Sequence, residues 1–172
     1  MPMTDNVWYF GNLLAVLLRW TCGQFPHSGA ATPPMFGDYE AQRHWMEVTV
    51  NLEPNHWYTN TTDNDLLYWG LDYPPLTAYH SYFNGKIAQY LNPLWTQLHT
   101  SRGFESYYHK LFMRSSVLFV DLLIYFSSIY NYWSICLKPD FKPRDKAVNC
   151  VISLINPALI LIDYGHFQLS TT

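Results

Sequence analysis

An all-α, multi-span membrane fold is the architecture this sequence predicts, on three observations. Hydrophobic residues make up 49% of the 172 residues and charged residues only 13%, against roughly 25% charged in an ordinary soluble domain. The apolar residues are gathered in three runs, at about 7–22, 115–137 and 147–162. A long stretch rich in rings and acids separates the first two, so the mean hydropathy of −0.11 conceals the runs. The formal net charge of −3 offers no basic face, and a nucleic-acid partner has no support.

The first run, Val7 to Cys22, holds Leu13-Leu14-Ala15-Val16-Leu17-Leu18 and then Arg19. No Lys or Arg precedes it and no small-x-small site follows, so it reads as an uncleaved anchor rather than a secretory signal. The second, Ser115 to Leu137, is long enough for the roughly 30 Å hydrocarbon core and carries one acid, Asp121. The third, Ala147 to Ile162, contains Pro157, which predicts a kinked span. The connection at 138–146 bears Lys138, Lys142, Arg144 and Lys146, which the positive-inside rule assigns to the cytoplasm. The N-terminus is then cytoplasmic, and the loop of about 23–114 lies on the opposite, lumenal face. Asn60-Thr61-Thr62 in that loop is a glycosylation sequon usable only there. Cys22, Cys136 and Cys150 fall in or beside the spans, which predicts buried packing residues rather than a disulfide framework or a metal site.

Within the loop, Ala41, Trp45, Val48 and Leu52 recur at helical spacing from a start at Gly37 or Asp38. Pro75 opens a second helix that sets Leu76, Tyr79, Phe83, Ile87 and Tyr90 or Leu91 on one face and stops at Asn92-Pro93. Trp57, Tyr58, Trp69, Tyr73 and Trp95 are rings of the headgroup region, so both helices are expected to lie in the membrane interface.

Asp38 is the first candidate for chemistry. A carboxylate held at a helix start can accept the proton of a sugar hydroxyl attacking an anomeric carbon, although Asp is equally a preferred helix cap. Asp72, before Tyr73-Pro74-Pro75, is a site residue or a turn. Glu40, Arg43 and His44 bind substrate or form a solvated face of i,i+3 and i,i+4 pairs. Arg19 can contact a lipid phosphate or snorkel to the interface. Asp163 and His166, after the third run, can line the same lumenal site, with His166 donating to phosphate. Nucleotide-loop, metalloprotease and nucleophile-elbow motifs are absent from the sequence. An ion path has little to use, since Asp121 alone is ionisable deep in a span.

Four stretches, Pro34 to Glu47, Tyr68 to Ser81, Ser101 to Ser106 and Ile162 to Gln168, together resemble the endoplasmic-reticulum dolichyl-phosphate-glucose glucosyltransferases, in particular the alpha-1,3-glucosyltransferases that add the first glucose to the high-mannose lipid-linked oligosaccharide. The resemblance extends to Gln168. It implies a GT-C membrane fold in the endoplasmic reticulum with a lumenal site and an inverting displacement at glucose C1. Dolichyl phosphate is then the leaving group and Asp38 the general base. The partners it implies are the lipid-linked oligosaccharide, dolichyl-phosphate-glucose and the bilayer, with neither metal nor cofactor. Members of that family continue after His-Phe-Gln with Tyr-Asn and further spans, whereas this chain reads Leu169-Ser170-Thr171-Thr172. The expectation is therefore one membrane domain, 1–172, holding the N-terminal portion of such an enzyme and inactive alone. The alternative is a non-catalytic membrane subunit that binds the oligosaccharide or a full-length glucosyltransferase.

Overall fold

The computed structural model describes residues 5–136 and 141–166. Leu137 and Lys138 of the expected span and basic loop, the Cys136 side chain, and Phe167 to Thr172 at the C-terminus lie outside that description. Among the described residues there is no strand. The order is α1 (Asp5–Gln24), α2 (Gly37–Asn51), α3 (Pro75–Leu91), α4 (Tyr107–Val120), a π-helical turn (Asp121–Phe126), α5 (Ser127–Asn131), a second π-helical turn (Tyr132–Cys136), α6 (Pro143–Leu154), α7 (Pro157–Ile160) and a third π-helical turn (Leu161–His166). The chain divides into two compact units: residues up to 26 with 113–165, and residues 27–112 with His166.

In the first unit the helices are sorted by side-chain size. Gly11, Ala15, Arg19 and Gly23 recur every fourth position of α1 and face inward, while Leu13, Leu14, Leu17 and Leu18 are exposed. A Cβ at Gly11 would collide with the Val151 side chain, so glycine is what lets α1 approach α6. The core is Ala15, Phe126, Ala147, Cys150 and Leu154, with Trp8, Val16, Ile129 and Trp133 packed around it. Cys150 is fully buried as expected, but Cys22 is only half-buried, because it lies off the inward stripe of α1. Among the described residues, two helical stretches are long and apolar enough to cross a membrane, Tyr107–Ile135 and Pro143–His166.

The second stretch is interrupted at Asn156. Pro157 has no N–H, and the Asn156 side chain accepts from Ala158 N at 3.0 Å, the donor that would otherwise return to Leu154 O. The carbonyls of Ser153 and Leu154 thereby lose their i+4 donors inside an apolar unit, where an unpaired carbonyl is costly, and Ser153 O keeps a longer bond from Asn156 N at 3.3 Å. Tyr125 donates to Ser153 O at 2.8 Å, and Arg19 Nη1 donates to Leu154 O at 2.8 Å.

Arg19 thus departs from both expectations, the lipid phosphate and the snorkelling cation. It is 1% exposed, and its Nε donates to Asp121 Oδ2 at 2.8 Å. Tyr164 donates to the same oxygen at 2.8 Å, and the guanidinium carbon lies 5.0 Å from the Phe126 ring centroid. Asp121 cannot be left buried and unpaired in such surroundings, and Arg19 is the cation that meets it.

In the second unit α2 packs against α3. Thr77, Ala78, Ser81, Gly85 and Ala88 form the buried side of α3, with Gly85 against Val50 and the Met46 carbonyl of α2. The apolar residues read from the sequence lie on the opposite, exposed side: Leu76, Tyr79, Phe83, Ile87, Tyr90 and Leu91. The helix α2 differs from the interfacial helix expected of it. Apart from half-buried Gln42, residues 39 to 49 are buried, charged ones included, so it keeps no face for the interface. Ala41, Trp45 and Val48 join Trp57, Leu71 and Ala78 in the core, with Leu52 partly buried beside them.

Candidate active site

Asp38 stands in the first turn of α2, at the positive end of the helix dipole. It does not cap the helix. The cap position is Phe36, held in the left-handed region (φ 59°) with no side-chain cap bond. The turn depends on two glycines, Gly29 (φ 74°) and Gly37 (φ 72°): a Cβ on Gly37 would run into the Ser28 carbonyl oxygen, and one on Gly29 into the backbone of Phe36 and Gly37. Trp69 Nε1 donates to Met35 O at 2.6 Å, and Trp45 Nε1 donates to Trp69 O at 2.9 Å, so the Tyr68-Trp69-Gly70 segment fastens the approach to α2. Held this way, the Asp38 side chain is 28% exposed, and its Oδ2 lies 2.9 Å from His166 Nδ1.

The residue after Asp38 is anchored from two sides. Tyr39 OH is 2.6 Å from His109 Nδ1, and the His27 ring stacks on the Tyr39 ring at 4.2 Å. Glu105 approaches His27 at 4.0 Å and accepts from Ala31 N at 3.1 Å, tying the loop before α2 to the one before α4.

Glu40, Arg43 and His44 are neither solvated nor open to substrate, each being at most 1% exposed. Arg43 donates from Nε and Nη2 to the two oxygens of Glu40, each at 2.7 Å, and from Nη2 to Glu47 Oε2 at 2.6 Å. Its Nη1 donates to Ser101 Oγ at 2.5 Å, and Ser101 Oγ donates in turn to Glu47 Oε2 at 3.1 Å. Tyr68 OH donates to Glu40 Oε1 at 2.8 Å, His99 N to Glu47 Oε1 at 2.7 Å, and His44 Nδ1 lies 3.3 Å from Glu47 Oε2. Burial pushes the Glu47 carboxyl up, but the hydrogen bond to His44 and the charges of Arg43 and His44 outweigh it and hold the group at about 2. Burial lowers the Arg43 guanidinium, yet the Glu40 hydrogen bond and the charges of Glu40 and Glu47 raise it overall. Burial and the bond to Glu40 both push the Tyr68 phenol up.

The structure therefore gathers three of the motifs, at 37–45, 68–70 and 101–105, around the start of α2. Asp38, Glu40, Arg43, His44 and Asp72 all belong to the second unit, with His166. Asp72 is exposed in the turn before Pro74. Arg19 and Asp163 belong to the first unit, where Asp163 is buried and its carbonyl accepts from Arg114 Nη1 at 3.2 Å. His166 turns to a carboxylate rather than standing alone as an anion donor. Asn60 is exposed, with its Oδ1 accepting from Leu66 N at 3.3 Å, in a turn held by Asn64 Nδ2 bonds to three carbonyls. Among the described residues no cluster of three or more His, Cys, Asp or Glu side chains could hold a metal ion. Sequence reasoning missed Tyr39, Glu47, Tyr68 and Ser101 as framework, and His27, Glu105 and His109 as anchors. Tyr39, Glu47, Tyr68, Ser101 and Glu105 all lie in the stretches that carry the resemblance, which singled out those stretches without giving these residues a role.

Known proteins resemble this chain over nearly its whole length. The ALG6, ALG8 glycosyltransferase family description matches residues 14–171. The chain is 56% identical over 156 residues to the mouse (Mus musculus) dolichyl pyrophosphate Man9GlcNAc2 alpha-1,3-glucosyltransferase, covering 91% of this chain and 30% of the mouse protein. Proteins called probable forms of the same enzyme match at 49% identity in Dictyostelium discoideum and 48% in Arabidopsis thaliana, each over 91% of this chain and 30% of the relative. The chain thus spans about a third of the length of the curated relatives it matches. With nearly all of its length matched by one description, this chain belongs to the ALG6, ALG8 glycosyltransferase family.

Proposed function

We propose that this chain supplies the general base of an alpha-1,3-glucosyltransferase that moves glucose from dolichyl-phosphate-glucose to the high-mannose lipid-linked oligosaccharide. The single observation behind this reading is the contrast among the acids at the start of α2. Glu40 is 1% exposed and consumed by Arg43 and Tyr68, whereas Asp38, one helical turn away or less, keeps an accessible carboxylate beside His166. With its proton on Nδ1, His166 donates to Oδ2 and leaves Oδ1 for the incoming hydroxyl. That hydroxyl oxygen attacks glucose C1, and its proton passes to Asp38. The bond from C1 to the phosphate oxygen breaks with its electron pair on the phosphate, dolichyl phosphate departs, and the configuration at C1 inverts.

The same reading sets the chain in the endoplasmic-reticulum membrane with its N-terminus cytoplasmic and residues of about 23–114 lumenal. The exposed Leu13, Leu14, Leu17 and Leu18 support α1 as a third span, since a 20-residue helix is about 30 Å long. Lys142, Arg144 and Lys146 support the cytoplasmic connection. The outward rings of α3 support its lying in the lumenal interface.

The test is a chimera in which this chain replaces the matching segment of the mouse relative, assayed in membranes with labelled dolichyl-phosphate-glucose. Glucose transfer is expected from the chimera and a fall of about 100–10,000-fold from its Asp38→Asn form. Transfer undiminished by Asp38→Asn removes Asp38 as the base and leaves the chain a binding segment.

A further inference from the structure

Inversion at C1 leaves a phosphate that needs a cation, and close to the start of α2 Arg43 is buried against its carboxylates while His166 is turned to Asp38. We infer that Arg102 binds a lipid-borne phosphate, the donor's phosphate in the function proposed above, on which this assignment of ligand rests.

Four observations converge on Arg102. It is exposed, and among the described residues its guanidinium pairs with no carboxylate. Its guanidinium carbon lies 4.5 Å from the centroid of the Tyr68 ring, and the Tyr68 hydroxyl is bonded to Glu40 of α2. With its guanidinium carbon over that ring and, among the described residues, no hydrogen bond to its N–H groups, Arg102 has N–H groups to offer two oxygens of one phosphate. Both neighbours are also fixed. Ser101 is 1% exposed and bonded to Arg43 and Glu47. Gly103 (φ 69°) lies so near the Phe36 ring that a Cβ would stand 2.6 Å from it. Arg102 is therefore held between two contacts to α2 and the loop that starts it, one of them two residues before Asp38. An arginine kept for solubility needs none of this, whereas one that must meet a phosphate in a set orientation does.

The lipid origin of that phosphate follows from what comes next in the chain. Five residues on, Tyr107 and Tyr108 open the stretch Tyr107–Ile135 with side chains 68% and 72% exposed, a ring pair of the type that marks headgroup depth. Arg102 thus precedes a membrane entry, as expected of a cation that meets the phosphate of an isoprenoid carrier.

The test uses the full 172-residue chain in phosphatidylcholine nanodiscs, titrated with citronellyl phosphate, citronellol, inorganic phosphate and dihexanoyl phosphatidic acid. Citronellyl phosphate is expected to bind, citronellol not, and Arg102→Ala to weaken the phosphate by about 10–100-fold. Arg102→Lys keeps the charge without the planar fork and is expected to fall between the two. Equal affinity for phosphatidic acid makes the ligand a general lipid headgroup, and preference for citronellyl phosphate makes it the isoprenoid donor; either upholds a lipid-borne phosphate. No binding of citronellyl phosphate, affinity unchanged in Arg102→Ala with an unchanged thermal midpoint, or inorganic phosphate bound as tightly as either lipid overturns the inference. Because this readout needs no glucose transfer, loss of transfer in the chimera leaves it standing, and loss of binding leaves Asp38 untouched.

Discussion

Arg43 and Arg19 are 0% and 1% exposed, one in each unit, and their partners differ in kind. Arg43 is held mainly by its own helix, through Glu40 three residues before it and Glu47 four after, with Ser101 added from a loop. Arg19 finds its carboxylate 102 residues away and a carbonyl 135 residues away, and its remaining surroundings are aromatic faces. The first arrangement locks a loop onto a helix that carries a candidate base. The second joins helices that share no local sequence relation. In the polar unit a buried charge organises the surroundings of the candidate base, and in the apolar unit it replaces the capping of a broken helix.

The sharpest way to break the comparison is to remove each cation. Arg43→Met leaves Glu40 and Glu47 buried with their charges facing each other, so the loss is expected at or above the upper end of the roughly 3–5 kcal/mol for a broken buried pair. Hydrogen exchange should register it across residues 27–112. Arg19→Leu strands one carboxylate rather than two and is expected to cost about 3 kcal/mol in thermal unfolding in nanodiscs. Most of that should return in Arg19→Leu/Asp121→Leu, because replacing both partners by apolar groups leaves no buried charge. Failure of the double variant to recover would mean that the Leu154 carbonyl, not Asp121, is the partner that matters.

Acid separates the two units with a smaller effect. The folded Glu47 carboxyl, at about 2, lies below its unfolded value near 4.5, so its contribution is complete above pH 4.5 and is lost as pH falls toward 2. Between pH 5 and pH 3 the loss is about 2 kcal/mol, confined to residues 27–112 if exchange is followed amide by amide. Equal loosening of both units over that range would contradict the contrast.

The parts of the molecule legible in advance were those with a period. The helix Gly37–Asn51 and the helix Pro75–Leu91 follow from apolar spacing, a proline start and an Asn-Pro stop. What the spacing of Glu40, Arg43 and Glu47 could not reveal was their burial, because i,i+3 and i,i+4 pairs look the same on a solvated face and in a core. Nor could it reveal which side of α3 turns inward, since the small residues Thr77, Ser81 and Gly85 are spaced as regularly as the large ones and pack more closely. Arg19 with Asp121 was out of reach for another reason: nothing local joins residues 102 apart. At the site, Asp38 stood out by its residue type at a helix start, but His27, Tyr39 and His109, which steady it, meet only in three dimensions.

The long sequence separation around Arg19 also has a meaning in time. Ribosomes add roughly 5–20 residues per second, so the 102 residues between Arg19 and Asp121 take about 5–20 s to make. The Leu154 carbonyl, 135 residues on, arrives later still. Throughout that interval α1 carries a cation with neither partner yet synthesised, and it can settle among apolar neighbours only after the chain that follows has been delivered. The helix α1 is therefore completed only after both of these later partners have been made.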